Sequence, residues 1–162
     1  GHIGEGQRHL AISVLLENSE GEVLLQKRKH QVFDDIWDVT GATHPLHLGN
    51  GHDETPEEAT LRCLNREYGI KDIALKNYGF FNYFAKTGEL CENEHCAILV
   101  GVYNGELELN PEVGYGYKWM SKIEFLKDIE ENPNKYTAWA TPAVKLLKEN
   151  GFFSNHIILI QL

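Results

Sequence analysis

The sequence predicts an α+β domain in which a mixed β-sheet is packed between α-helices. Three observations carry this. Short β-rich apolar runs come first, one well-capped helix interrupts them, and amphipathic helices close the order after further strands. The 162 residues suit one full hydrophobic core, and no linker, repeat or low-complexity tract divides them, so a single domain over residues 1–162 is expected.

Residues 9–17 (HLAISVLLE) are β-like, NSEG at 18–21 is a turn signal, and EVLLQK at 22–27 returns as a second strand. Residues 36–40 (IWDVT) form a short third strand. It runs into a loop of special residues, Gly41-Ala42-Thr43-His44-Pro45. A polar loop with Gly49, Gly51, His52 and Asp53 follows. The clearest helix comes next, with Thr55 as N-cap, Pro56 at the first helical position and Glu58 completing a capping box. Leu61, Leu64 and Tyr68 share one face, and Gly69 is the C-terminal stop. Strands are expected near 77–84, 94–103 and 116–120, and helices over 121–131 and 138–148, with Pro142 in the first turns of the last. The tail 152–162 is strongly apolar and either closes the core or makes a subunit contact, so monomer and homodimer both stay open.

Composition narrows the function classes. A formal charge of −9 argues against general nucleic-acid binding, which needs a basic footprint. An acidic chain can still take a phosphorylated ligand where metal ions and a few local cations face it, and basic residues do bunch at Lys27, Arg28 and Lys29. Cys63, Cys91 and Cys96 are an odd set without C-x-x-C spacing, which suits reduced thiols. No apolar run approaches the ~20 residues that span a bilayer, and residues 1–8 lack a signal-peptide core. The expectation is a cytoplasmic protein without a membrane partner.

Two sets of residues carry chemistry. On the helix and the loop before it, Glu54, Arg62, Leu64, Glu67, Gly69 and Ile70 stand in fixed spacing. Outside it, His2, His9, His44, Glu92 and Glu94 are metal-ligand types, and Glu92 and Glu94 alternate at strand spacing so that both belong to one sheet face.

The region 48–70 resembles a Nudix box, G-x5-E-x7-R-E-U-x-E-E-x-G-U with U aliphatic, although Leu48, Cys63 and Arg66 stand where the pattern has Gly, Glu and Glu. The wider chain resembles the type I isopentenyl diphosphate isomerases of the same superfamily. His2 and His9 are separated by seven residues, and Gly21 to Arg28 follows the first turn. Trp37 precedes a loop ending in His44-Pro45. Tyr83 stands before Glu92-Asn93-Glu94, and Thr137-Ala138-Trp139 resembles a Thr-Pro-Trp motif.

The resemblance implies the Nudix fold and one divalent ion, Mn²⁺ or Zn²⁺, held by His2, His9, His44, Glu92 and Glu94. It implies a Mg²⁺ riding on a substrate diphosphate, held by Glu67 and the carbonyl near Ala42, with Thr43 alongside. Arg28, with Lys27 beside it, would meet the diphosphate. Glu94 would move a proton, Tyr83 would polarise it, and Trp139 would face a hydrocarbon.

The sequence departs from that family at one chemically decisive place. Ala42 occupies the position of a cysteine, and an isomerase that moves a double bond needs two positioned acid–base groups. Three readings follow: a metal-dependent hydrolase of a small diphosphate compound on an isomerase-like scaffold, a true isopentenyl diphosphate isomerase with a replaced acid, and a non-catalytic ligand-binding module. The first is preferred. It lacks box carboxylates, the second lacks the cysteine, and the third has little need of Glu94, Tyr83 and Trp139.

Overall fold

The computed structural model describes residues 8–49, 51–87 and 90–154, with the backbone alone for Arg8, His9, Thr87, Leu90, Cys91 and Glu92. The strands are β1 (Arg8–Glu17), β2 (Glu22–Arg28), β3 (Ile36–Asp38), β4 (Gly41–Thr43), β5 (Leu75–Thr87), β6 (Leu90–Val102) and β7 (Gly114–Ser121). The helices are α1 (Pro56–Tyr68), α2 (Lys122–Glu131) and α3 (Ala140–Glu149), with a short 3-10 turn at Pro133–Lys135.

The sheet is mixed, as expected. β1 runs parallel to β6 from Arg8 opposite Asn93 to Glu17 opposite Val102, while β5 is antiparallel to β6 and β4 antiparallel to β1. β2 pairs with β3 and β7. The single strand expected over 36–40 is two. Thr40 divides them because its hydroxyl donates to the Leu24 carbonyl at 2.6 Å and accepts from the Leu16 amide at 2.9 Å. The chain thereby changes partner, from β2 at Asp38 to β1 at Gly41.

Helices cover both faces. α1 buries Leu64 and Tyr68 against Val14, Leu16 and Leu24. On the other face, Phe125 and Ile129 of α2 and Ala143, Val144 and Leu147 of α3 pack with Leu15, Leu25 and Ile98. Phe152 and Phe153 close this second core, while 155–162 lie outside the described residues. Among the described residues no helix is long and apolar enough to cross a membrane.

α1 begins and ends as its residues dictate. Thr55 and Glu58 form the reciprocal capping box, and Gly69 takes a left-handed φ of 72° that a side chain would resist. Its buried stripe is Ala59, Thr60, Cys63, Leu64, Glu67 and Tyr68. Leu61 is only half-buried, so the core-facing stripe is rotated from the one the leucines suggested. The rotation aims a carboxylate, Glu67, inward.

Candidate active site

A cavity of about 280 Å³ opens where β4, β6, the end of β2 and the start of α3 meet. Its size is near the lower bound of small-ligand sites. Ala42, Thr43, His44, Glu67, Tyr83, Arg28 and Trp139 all line it. They come from six different elements and loops.

The His44 Nε2 and Glu94 Oε1 atoms lie 2.9 Å apart across fifty residues of sequence. Glu94 is 2 % exposed, and its other oxygen has no hydrogen-bond partner among the described residues. A carboxylate oxygen buried without a donor is costly unless a cation takes it up. His9 stands opposite Glu94 in the β1/β6 register, and Glu92 is two residues along the same strand. The donor types and this orphaned oxygen fit a divalent ion. The side chains of His9 and Glu92 and all of His2 lie outside the described residues. Among the described residues themselves no three ligand-type side chains gather.

Glu67 also lines the cavity. It accepts from Gln26 Nε2 at 3.0 Å, and burial raises its carboxyl pKa, opposed by the hydrogen bonds from Gln26 and the Cys63 thiol. A Cβ added at Gly41 would come within 3.2 Å of Glu67 Oε1 and 3.0 Å of Cys63 Sγ. The carboxylate thus reaches the β4 backbone beside Ala42, and Gly41 is what makes room for it.

Glu54 and Arg62, two other box residues, form a clasp. The guanidinium takes both oxygens of Glu54 at 2.9–3.1 Å and donates to the His44 carbonyl at 2.9 Å. Their matched spacing therefore serves the position of His44, and the planar fork of arginine suits that double task.

Lys27 corrects the expected ligand contacts. It lies outside the cavity lining, with its ammonium 5.3 Å from the Trp37 ring centroid and 3.7 Å from Asp35. Successive strand residues point to opposite faces, so Lys27 and Arg28 cannot share one ligand. The β2/β7 register also shifts between them, with Tyr115 the extra residue on β7. Its guanidinium stacks 4.9 Å over Trp139. Lys29, His30 and Arg66 add basic groups to the lining. In the sequence Arg66 stands where the box has a carboxylate, with nothing local to mark it as a cavity residue.

Cys96 also lines the cavity. Its thiol lies 3.6 Å from the Ser13 hydroxyl, and Ser13 stands opposite Ala42 in the β1/β4 register. Burial pushes this thiol up to about 12. Strand alternation places Glu94 and Cys96 on one face, the only sequence signal that could have found it.

The NUDIX domain family matches residues 7–140. The chain belongs to the Nudix family. Among relatives of this Nudix chain, the isopentenyl-diphosphate Delta-isomerase of Photobacterium profundum is 34% identical over 145 residues, covering 83% of this chain and 77% of that one. That of Jannaschia sp. is 32% identical over 139 residues, covering 83% and 76%. Among solved structures, the MutT protein from Methanosarcina mazei matches with a TM-score of 0.68 at 18% identity, covering 90% of this chain and 97% of that one. The MutT NUDIX hydrolase from Burkholderia pseudomallei gives 0.64 at 18% identity over 87% and 98%. These structures share the Nudix fold.

One carboxylate of this Nudix domain escaped sequence reasoning. Asp38 is fully buried at the end of β3. Desolvation pushes its pKa up to about 6, against the lowering charge of Arg28 and hydrogen bonds from Thr137, Val39 and Trp139. A carboxyl raised on folding adds stability that is complete below its unfolded pKa of 3.8 and lost as pH rises through about 6. Asp38→Asn removes that loss. The stability of the variant relative to the natural protein should therefore improve between pH 4 and pH 7.5, by about 3 kcal/mol at most. Urea unfolding at the two pH values measures it, and an unchanged difference would show that Asp38 does not titrate on folding.

Proposed function

We propose that this Nudix domain is a divalent-metal-dependent hydrolase of a small diphosphate compound, working on an isopentenyl diphosphate isomerase-like scaffold. The observation that carries the reading is Ala42. A methyl group lines the cavity where double-bond migration would need a proton carrier, while Glu67 and the cations Arg28, Lys29 and Arg66 line the same space.

The parts divide as follows. Arg28, Lys29 and Arg66 offset the ligand's negative charge, and Arg28 also stacks on Trp139. Glu67 would hold Mg²⁺ on the diphosphate. His44 and Glu94, with His2, His9 and Glu92, would hold Mn²⁺ or Zn²⁺. Bound divalent metal supplies charge neutralisation and a more acidic water. Glu94, with one oxygen on His44 and the other without a hydrogen-bond partner among the described residues, would take up the proton that a water loses as it attacks phosphorus and the bond from phosphorus to the bridging oxygen breaks. Tyr83 faces Glu94 across the β5/β6 register and Trp139 walls off the organic part of the ligand.

A second reading keeps one specific support. The Cys96 thiol lines the same cavity as Ala42, so an isomerase with a relocated acid is the alternative, in line with the names of the relatives at about 30% identity.

The test is a product screen on diphosphate compounds, including isopentenyl and dimethylallyl diphosphates, scored for phosphate release and for isomer. Phosphate release that needs Mg²⁺ or Mn²⁺ is expected, and Glu67→Gln should reduce it by roughly 10²-fold or more, since one carboxylate here does the work of a cluster. Isomer without phosphate release would replace the reading with the alternative. Neither product, with metal-dependent binding retained, would make it a binding module.

A further inference from the structure

We infer that Asp38 is a positioning residue of the cavity, its buried carboxylate seating the Trp139 indole and, with it, the stacked Arg28 guanidinium. Naming the ligand as a diphosphate rests on the function proposed above, whereas the placement of the indole does not.

Asp38 makes a two-part connection. Its Oδ1 accepts from the Val39 amide at 2.7 Å and from the Thr137 hydroxyl at 2.9 Å. The second bond joins β3 to the segment leading into α3, and the Thr137 amide reinforces it by donating to the Trp37 carbonyl at 3.0 Å. Oδ2 is left over. It is buried, and so is Trp139 Nε1, and neither completes a well-formed hydrogen bond among the described residues. Yet the indole N–H is close enough to lower the carboxyl's pKa. A buried donor and a buried acceptor, both unsatisfied and both in one place, are complementary. A small displacement of the indole joins them.

The remaining contacts of Trp139 do not fix its orientation by themselves. Phe33 meets it edge-on with centroids 5.2 Å apart, Tyr83 is tilted at 5.9 Å, and Arg28 lies 4.9 Å over the ring. Ring contacts of this kind tolerate rotation, whereas an N–H···carboxylate bond is directional. Phe33 holds a positive φ of 54°, unfavourable for a bulky side chain. Strain of that kind persists where surrounding structure over-determines it, and Phe33 is packed against the indole. Among the residues that line the cavity, the Arg28 charge and the Trp139 N–H both lower the Asp38 pKa. Asp38 itself is not in the lining, so it acts through them.

The experiment uses Asp38→Asn, which keeps volume and an Oδ1 acceptor but sets an amide N–H₂ against the indole N–H. It is made in a Trp37→Phe, Trp119→Phe background, so that Trp139 is the sole tryptophan. The expected result is Trp139 emission at longer wavelength with greater acrylamide quenching. Affinity for isopentenyl diphosphate with Mg²⁺, measured by calorimetry, should fall about ten-fold, or 1.4 kcal/mol. In a Trp139→Phe background the same Asp38→Asn change should add little to the loss, because the acceptor has no indole donor to serve. Unchanged emission and quenching, or an equal affinity loss in both backgrounds, would overturn the inference. If isopentenyl diphosphate does not bind at all, the function reading fails separately and the emission and quenching decide on their own. If Asp38→Asn does not fold, the indole N–H resonance of Trp139 in the natural protein decides. Protection from exchange like that of core amides supports the inference, and rapid exchange overturns it.

Discussion

Glu94→Gln should lower metal-dependent diphosphate cleavage by at least ~10³-fold, a larger loss than any other single change in this site, because general acid–base catalysis alone contributes ~10²–10⁴-fold and the proposed function also gives this group a metal to hold. The side chain is buried, touches His44 with one oxygen and has no hydrogen-bond partner for the other among the described residues. Gln keeps the size and the hydrogen bond but removes the charge that a cation would balance. The metal-free variant should melt at or above the temperature of the natural protein, since a carboxylate without full pairing is removed from the interior. Metal titration by calorimetry, a thermal melt with chelator and steady-state kinetics together separate these effects. Turnover within ten-fold of the natural protein would remove Glu94 from the mechanism, and a lower metal-free melting temperature would show that its main work is structural.

Ala42→Cys should create proton exchange that the natural protein lacks. With isopentenyl diphosphate in heavy water, the natural protein is expected to incorporate little deuterium. The variant should gain up to ~10²–10⁴-fold, the usual contribution of one positioned acid–base group. Ala42 is half-buried in the cavity lining on β4, opposite Ser13, so a thiol there would enter the cavity that Tyr83 and His44 line, with Glu94 behind His44. Cys96 is the internal competitor. Its thiol lines the cavity but is held on Ser13, and burial keeps it protonated. Robust exchange by the natural protein, abolished by Cys96→Ser, would transfer the acid's role to β6 and make the enzyme an isomerase. Exchange in Ala42→Cys alone would identify an isomerase scaffold adapted to other chemistry.

Much of this molecule is legible in its sequence because the interactions concerned are local. The limits of α1 follow from Thr55, Pro56, Glu58 and Gly69, each acting within one turn of itself. The end of β1 follows from the turn at residues 18–21, where the Asn18 side chain accepts from the amides of Glu20 and Glu22 at 3.0 Å. α3 starts at Ala140 and carries Pro142 in its first turn, where the missing amide is no loss. The candidate site residues His44, Glu67, Tyr83, Glu94, Arg28 and Trp139 stand out in the sequence through the family resemblance that their order and spacing carry.

What local pattern could not supply was the choice among faces and partners. The run Lys27-Arg28-Lys29 looks like one basic patch, but strand pleating and a register shift send Lys27 to Trp37 and Arg28 to Trp139. Glu54 and Arg62 look like parts of a metal-binding box, yet they hold the His44 carbonyl in place. Asp38 follows a tryptophan in an apolar strand and carries no motif. It becomes significant only because Thr137 and Trp139, about a hundred residues later, fold back against it. The sequence by itself determined the family, the element order and the identity of the ligand-type side chains, since these depend on residue type and short-range geometry. The tertiary structure alone decided which carboxylates lie buried, which cations reach the cavity and which donor meets which acceptor. Those outcomes depend on strand register and helix rotation, and both are set by packing between segments distant in the chain.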